Sequence, residues 1–298
     1  MRWDLPECQT ATITVGNEPQ GVAFDGTHIW VANFGSNTVS KIDPTASNPA
    51  EAVVATIDVG TGPIGVAFDG THIWVTNSGL DSVSKINPTT NEVVATVTVR
   101  TDPDSVAFDG TNIWVTNSGT DTVSKLDPVT NRVIDTIDVG NEPQGVAFDG
   151  THIWVANNRS NPATVSKIDP VTNSVVDTVR VGAFPQDVAF DGTHIWVTIT
   201  GTTPGAVSKI NPTTNSVVAT VNVAGTPTGV AFDGTHIWVT NDDPGAAEPG
   251  TVSKINPTTN QVVVTIPVGA GPRAVAFDGT NIWVANFDAD TVSKLVPG

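Results

Sequence analysis

Short apolar runs separated by polar turn segments fill most of the chain, and the second repeat shows the unit. Gly65-Val66-Ala67-Phe68 is an apolar run suited to a strand buried on both faces. Asp69-Gly70 is a hairpin-turn dipeptide, because glycine accepts positive φ. His72 to Thr76, carrying Trp74, predicts a second strand, and Asn77 to Asp81 a loop. Ser82 to Ile86 predicts a third strand. Asn87-Pro88-Thr89-Thr90-Asn91 reads as a turn, with proline at its first corner and an asparagine tolerant of the left-handed region. Val93 to Val99 is the predicted outermost strand, and Asp102-Pro103 leads into the next unit.

This unit recurs. Val-Ala-Phe-Asp-Gly-Thr occurs seven times, each time followed one residue later by Ile-Trp-Val. The repeat tryptophans are Trp30, Trp74, Trp114, Trp154, Trp196, Trp238 and Trp283, spaced by 44, 40, 40, 42, 42 and 45 residues. A strand-rich period near 40 residues is the mark of a β-propeller with one four-stranded blade per repeat. The expected fold is therefore an all-β, seven-bladed propeller of antiparallel blades. It forms a single domain over 1–298, with an extension over 1–10 and seven repeats over 11–298. Four short strands cannot bury both faces alone, so neighbouring blades must cover each other. That accounts for consecutive apolar residues such as Ile73, Trp74 and Val75, and places the seven indoles between blades with each N–H needing a polar partner. Trp3 lies outside the repeats and is not expected to be buried.

The ends of the chain complete each other. The last repeat stops after Val292-Ser293-Lys294-Leu295 and lacks a fourth strand. Ala11-Thr12-Ile13-Thr14-Val15-Gly16 matches the missing strand, as in Ala55-Thr56-Ile57-Asp58-Val59-Gly60. The N-terminal strand should therefore close the ring, removing two open sheet edges.

Composition narrows the partners. The net charge of −17 argues against nucleic acid and anionic membranes. No apolar run reaches membrane-spanning length. Met1-Arg2-Trp3-Asp4 lacks the apolar core of a signal peptide, while sparse charge and Thr/Asn-rich loops suit an extracellular or cell-surface protein. The single cysteine, Cys8, lies outside the repeats and cannot form an intramolecular disulfide. A monomer is expected.

The pattern Pro-x-Gly-Val-Ala-Phe-Asp-Gly, Ile-Trp-Val-Ala-Asn, Thr-Val-Ser-Lys-Ile-Asp and Val-Val-Ala-Thr-Ile-Asp-Val-Gly resembles the YVTN-type β-propeller repeat family. The resemblance covers nearly everything from Ala11 onward. It extends to the wider group of NHL-repeat and virginiamycin B lyase-like propellers. It implies a seven-bladed, often exported propeller. The lyases use a histidine and an acidic residue, with a divalent metal, on one face. Here all five histidines (His28, His72, His152, His194 and His236) sit at one repeat position beside the Asp-Gly turn, with Asn112 and Asn281 replacing them in the other blades. That departs from the lyase pattern.

Comparing blades locates the candidate binding face. The Asp-Gly-Thr turns and the Asp/Asn-Pro-x-Thr-Asn turns barely change, apart from an insertion at Ala46 to Glu51, and strand alternation puts both sets on one face. The loops of the opposite face differ in every blade. Gln20, Ile64, Asp104, Gln144, Gln186, Thr228 and Arg273 each follow a proline and should ring the mouth of the central channel. Phe34 and Phe287 are aromatic at equivalent loop positions of the first and last blades, which are neighbours across the closure. With Arg273 and Gln20 they would offer two rings, a cation and an amide, suited to an organic or sugar-like ligand. Gln20, Phe34, Asp104, Gln144, Gln186, Arg273 and Phe287 are thus the candidate ligand-binding residues.

Catalytic motifs are missing: there is no Gly-x-Ser-x-Gly, no phosphate loop and no His-Glu-x-x-His. The sevenfold lysines (Lys41 and its equivalents) and turn aspartates (Asp25 and its equivalents) read as structural. The histidines recur too far apart to share a zinc ion. Asp242, Asp243, Glu248, Asp288 and Asp290 make an acidic rim that could supply calcium oxygens but lacks a calcium-loop spacing. No cofactor and no catalytic residue are expected. The leading reading is a non-enzymatic scaffold binding a small molecule, glycan or peptide on the variable face. The alternatives are a lyase-like or hydrolase-like enzyme using Asp104, Asp187 or Arg273, and a cell-surface structural repeat protein without a discrete site.

Overall fold

The structure, a computed structural model, describes residues 9–242 and 249–297. It contains seven four-stranded antiparallel sheets, six of them running in sequence order from the channel outwards. In blade 2 the strands are Pro63–Phe68, Ile73–Asn77, Ser82–Asn87 and Glu92–Thr98. Blade 7 takes Pro272–Phe277, Ile282–Asn286 and Thr291–Leu295 from the C-terminal end, and its outer strand, Gln9–Thr14, from the N-terminal end. Ile13 pairs with Val292 and Thr12 with Ser293, so the ring closes as expected. The closing strand starts at Gln9 rather than Ala11, because Gln9 still pairs with Leu295 across a bulge.

The core is a series of seven interfaces rather than one centre. In each, the tryptophan of one blade packs on the inner apolar residues of the next, as Trp154 does with Val188, Ile195 and Val197. All seven repeat tryptophans are fully buried. The closing interface joins Trp283, Val292 and Ile13 to Val22, Ile29 and Ile42. The blade 1 insertion adds to it: Asn48 caps a short helical turn over Pro49–Glu51, Ala52 is buried, and the turn packs against the N-terminal strand.

One polar unit recurs in all seven blades, and its lysine reaches the next blade from blades 1 to 5 and from blade 7. The turn aspartate accepts the indole N–H of its own tryptophan at 2.7–2.8 Å in all seven blades. Its other oxygen accepts backbone N–H groups across the turn, as Asp149 does from Thr151 (2.7 Å) and His152 (2.6 Å). Burial pushes Asp149 upward, but the bonds from Trp154, His152 and Thr151 outweigh it and hold the carboxyl below its usual range. The lysine of the third strand lies 5.0–5.4 Å from the tryptophan ring centre in every blade. Lys167 then donates to the carbonyl of Pro212 (2.7 Å) and to Asn215 (3.1 Å) in the following blade. Lys294 does the same across the closure, to Pro44 at 2.8 Å. The accepting asparagines, such as Asn215 (φ 51°) and Asn91 (φ 59°), are left-handed, as their turn position predicts.

Candidate functional site

The channel mouth is built from a bulge repeated in every innermost strand. In blade 2, Pro63 pairs with Asn77 and Val66 with Val75, so Ile64 and Gly65 face Thr76 alone. The same shift recurs in all seven blades. Bulges bend a strand and redirect its side chains. Here the bulge aims the residue after each proline into the channel. Four threonines of the second strands then fix these positions. Thr76, Thr116, Thr198 and Thr240 donate to the backbone carbonyls of Asp104, Gln144, Thr228 and Arg273 in the next blade, at 2.6–2.9 Å. The backbone of the ring is held while its side chains face the cavity.

One cavity of about 440 Å³ occupies this mouth and is lined by three consecutive residues from each blade. Gln20, Asp104, Gln144, Gln186 and Arg273 all line it, together with Ile64 and Thr228. The candidate residues spread over five blades are thus brought to one place. Phe34 and Phe287 do not line it. Both are half-buried. Phe287 lies beneath Arg273, whose guanidinium carbon is 5.1 Å from the ring centre. Phe34 lies toward blade 2, against Gly62.

The residue one step further in distinguishes the blades. It is glycine in blades 1, 2, 4 and 6, and Ser105, Asp187 and Ala274 in the others. The glycines allow close approach of neighbouring strands: a Cβ on Gly145 would lie 2.6 Å from the Asp187 Cα. Asp187 uses its side chain to bridge blades, accepting from the backbone N–H groups of Val188 (2.8 Å) and Val230 of blade 6 (2.9 Å). Its carboxyl is raised to about 6 by loss of solvent, against the lowering effect of those two bonds. Asp104 is raised to about 7, first by loss of solvent and then by the charge of Asp187. The Asp104 carboxyl is half-buried at the cavity wall and accepts no hydrogen bond from the described residues.

Arg273 is partly neutralised. Its guanidinium lies 3.5 Å from Asp242 of blade 6 and stacks on Phe287, and its buried Nε has no hydrogen-bond partner among the described residues. Asp242, one of the acidic-rim residues, therefore faces a cation, and Asp290 accepts the Glu18 N–H at 2.8 Å. Asp288 is exposed. Asp243 and Glu248 lie outside the described residues, as do Cys8 and Trp3. Among the described residues, no group of three or more His, Cys, Asp or Glu is placed to hold a metal ion. The five histidines line no part of the cavity. Each is tied to its own turn, as in the 2.9 Å contact of the His72 ring with Thr71.

Sequence reasoning missed Phe184. It precedes the blade 5 mouth proline, adopts φ 54° and is 48% exposed. The left-handed conformation belongs to the repeat, since Glu18, Gly62, Asp102, Glu142 and Gly271 share it before their own prolines; what sets blade 5 apart is the exposed aromatic side chain. The available signal was Ala183-Phe184-Pro185: no other blade has an aromatic just before that proline.

The fold and site define a seven-bladed propeller with a uniform face and an asymmetric channel mouth. A family model described as YNCE-like beta-propeller matches residues 7–151, in agreement with the YVTN/NHL-like resemblance of the repeats. No curated protein matches the chain. Among solved structures, a chain of Kuenenia stuttgartiensis hydrazine synthase is similar, with a TM-score of 0.81 and 20% identity, covering 100% of this chain and 97% of that one. At that identity the likeness is one of fold. No helix among the described residues is long and apolar enough to cross a membrane.

Proposed function

We propose that the protein is a binding scaffold that takes a small polar molecule, or the end of a glycan or peptide, in the channel mouth. The observation that carries this reading is the single cavity on which the unlike mouth residues of all seven blades converge. Its size falls within the roughly 300–1,000 Å³ typical of small-molecule sites. The Gln20, Gln144 and Gln186 side chains make no hydrogen bond to described residues, so three amides stand available to a ligand. Phe184 supplies an exposed aromatic at the rim. The test is a thermal-shift screen of polar small molecules, oligosaccharides and short peptides against the parent and Gln144→Ala/Gln186→Ala. A hit that stabilises the parent and loses at least tenfold in affinity in the variant supports the site. Equal binding by both places it elsewhere.

A second reading is favoured by the two carboxyls, Asp104 and Asp187, that line one cavity. Two carboxyls raised to about 7 and about 6 can divide acid and base roles near neutral pH, as a lyase-like or hydrolase-like enzyme requires. In that case Asp104→Asn would abolish turnover of a screened substrate while leaving its binding in place.

A further inference from the structure

The class of ligand follows from which charges in the cavity are already used. Three ionisable side chains line it: Asp104, Asp187 and Arg273. Arg273 is committed to Asp242 and Phe287. Asp187 is committed to two backbone N–H groups. Asp104 has neither a hydrogen bond nor an opposite charge among the described residues, and its one charged neighbour repels it. The cavity therefore holds an unmatched negative site beside three uncommitted amides.

We propose that the channel mouth takes a small organic cation bearing a protonated amine, held by Asp104 with the Gln20, Gln144 and Gln186 amides as neutral partners. This rests on the channel-mouth reading above and specifies its ligand. A cation at Asp104 removes the repulsion from Asp187 and supplies the missing donor, a charge-assisted hydrogen bond of the strong kind. An ammonium group has three donors and a rotatable stem, which matches a cavity that offers one carboxylate together with amide oxygens. Volume favours an organic cation over a bare metal ion. A single ion would leave most of about 440 Å³ filled with water, and no three-residue metal cluster exists among the described residues. The net charge of −17 adds long-range attraction for a cation.

The reading makes binding pH-dependent. The charged groups facing the site are Asp104 of blade 3, Asp187 of blade 5 and Arg273 of blade 7. Protonating the two carboxyls, raised to about 7 and about 6, removes the attraction, so an amine that stays charged throughout binds more tightly at pH 8 than at pH 5.

Isothermal titration calorimetry on the full chain tests this, with putrescine and spermidine as amines, Ca²⁺ and Mg²⁺ as metals, and maltotriose as a neutral polyol. Putrescine or spermidine should bind the parent at pH 8, lose at least tenfold in affinity at pH 5, and lose at least tenfold in Asp104→Asn. Asp104→Gln is the second variant, because blades 1, 4 and 5 carry glutamine at this ring position and the fold tolerates it there. Thermal melts of both variants establish that they fold. Amine binding that is unchanged in both variants overturns the proposal, and so does Asp104-dependent binding of Ca²⁺ or Mg²⁺ without amine binding. Binding of maltotriose alone, lost in Gln144→Ala, overturns the cationic ligand but keeps the channel-mouth site. Absence of binding by every probe counts against both.

Discussion

Replacing Lys167 with methionine tests the linkage between blades. The ammonium is buried with 8% exposure, lies 5.1 Å from the Trp154 ring centre, and donates to the Pro212 carbonyl (2.7 Å) and Asn215 (3.1 Å). Methionine preserves the apolar stem and removes the charge. Two hydrogen bonds from a charged donor contribute roughly 1.5–3 kcal/mol each. The contact with the indole adds about 1 kcal/mol. Against this, a buried ammonium carries a desolvation cost of several kcal/mol, which the substitution relieves. The loss still wins, because the Pro212 carbonyl and Asn215 amide oxygen remain in place without their donor. The expected net destabilisation is about 2–3 kcal/mol by these magnitudes. Urea unfolding of parent and variant measures it. A double-mutant cycle with Trp154→Phe should give a coupling of about 0.5–1 kcal/mol. A Lys167→Met variant within about 0.5 kcal/mol of the parent would refute the reasoning, since a surface-like change is expected to fall in that range.

Deleting residues 1–16 removes the Ile13–Val292 pairing and opens the edge at Thr291–Leu295; the melting temperature should fall and light scattering should report association. Trp154→Ala should cost about 3–5 kcal/mol in urea unfolding, the range for deleting a large buried aromatic; stability equal to the parent would remove the indoles from the core. Asp104→Asn should stabilise the protein in a pH-dependent way. The folded carboxyl titrates near 7 against an unfolded value of 3.8, so the folded state prefers its proton, and ionisation costs stability increasingly from about pH 4 to about pH 7. The ceiling is about 4 kcal/mol at ~1.36 kcal/mol per pH unit, and hydration from the channel reduces it to roughly 1–2 kcal/mol. Melts should therefore show a gain for the variant at pH 8 and none at pH 4.

Blade number, closure, the buried indoles and the left-handed turn asparagines were all legible, because each is set by a pattern that recurs along the chain. Relations between repeats were not. Lys167 and Pro212 are 45 positions apart, and the lysine's place in its strand does not reveal a carbonyl in the next blade. The mouth bulge depends on register: counting residues after the proline put Gln186 in the ring and Asp187 at the mouth, but could not show the Asp187 carboxyl reaching the Val230 N–H of the next blade. The Arg273–Asp242 pair joins strands of blades 7 and 6 and left no trace in spacing. The third-to-fourth strand bulge was hidden for the same reason. In blade 2 it skips Val94, which accounts for a half-exposed valine inside an apolar run.

Where the seven blades differ carries information about function. In exposed loops a substitution costs little, and differences accumulate there without a ligand. The inner ring is different. At the glycine position a Cβ would meet the neighbouring blade at 2.2 Å for Gly21, 2.7 Å for Gly65 and 2.5 Å for Gly229. A side chain at this level requires local accommodation. Yet blades 3, 5 and 7 carry Ser105, Asp187 and Ala274 there. Asp187 is accommodated through two backbone N–H groups, one of them in the next blade, and its charge remains in a cavity where it raises Asp104. An asymmetry that is costly to introduce, electrostatically unfavourable to keep and confined to alternate blades around one cavity is poorly explained by drift in a repeat array. It is the arrangement expected where a ligand of opposite charge offsets the repulsion. On the proposed reading, the uniform lysine, tryptophan and aspartate units hold the ring together, and the unequal inner residues serve the ligand.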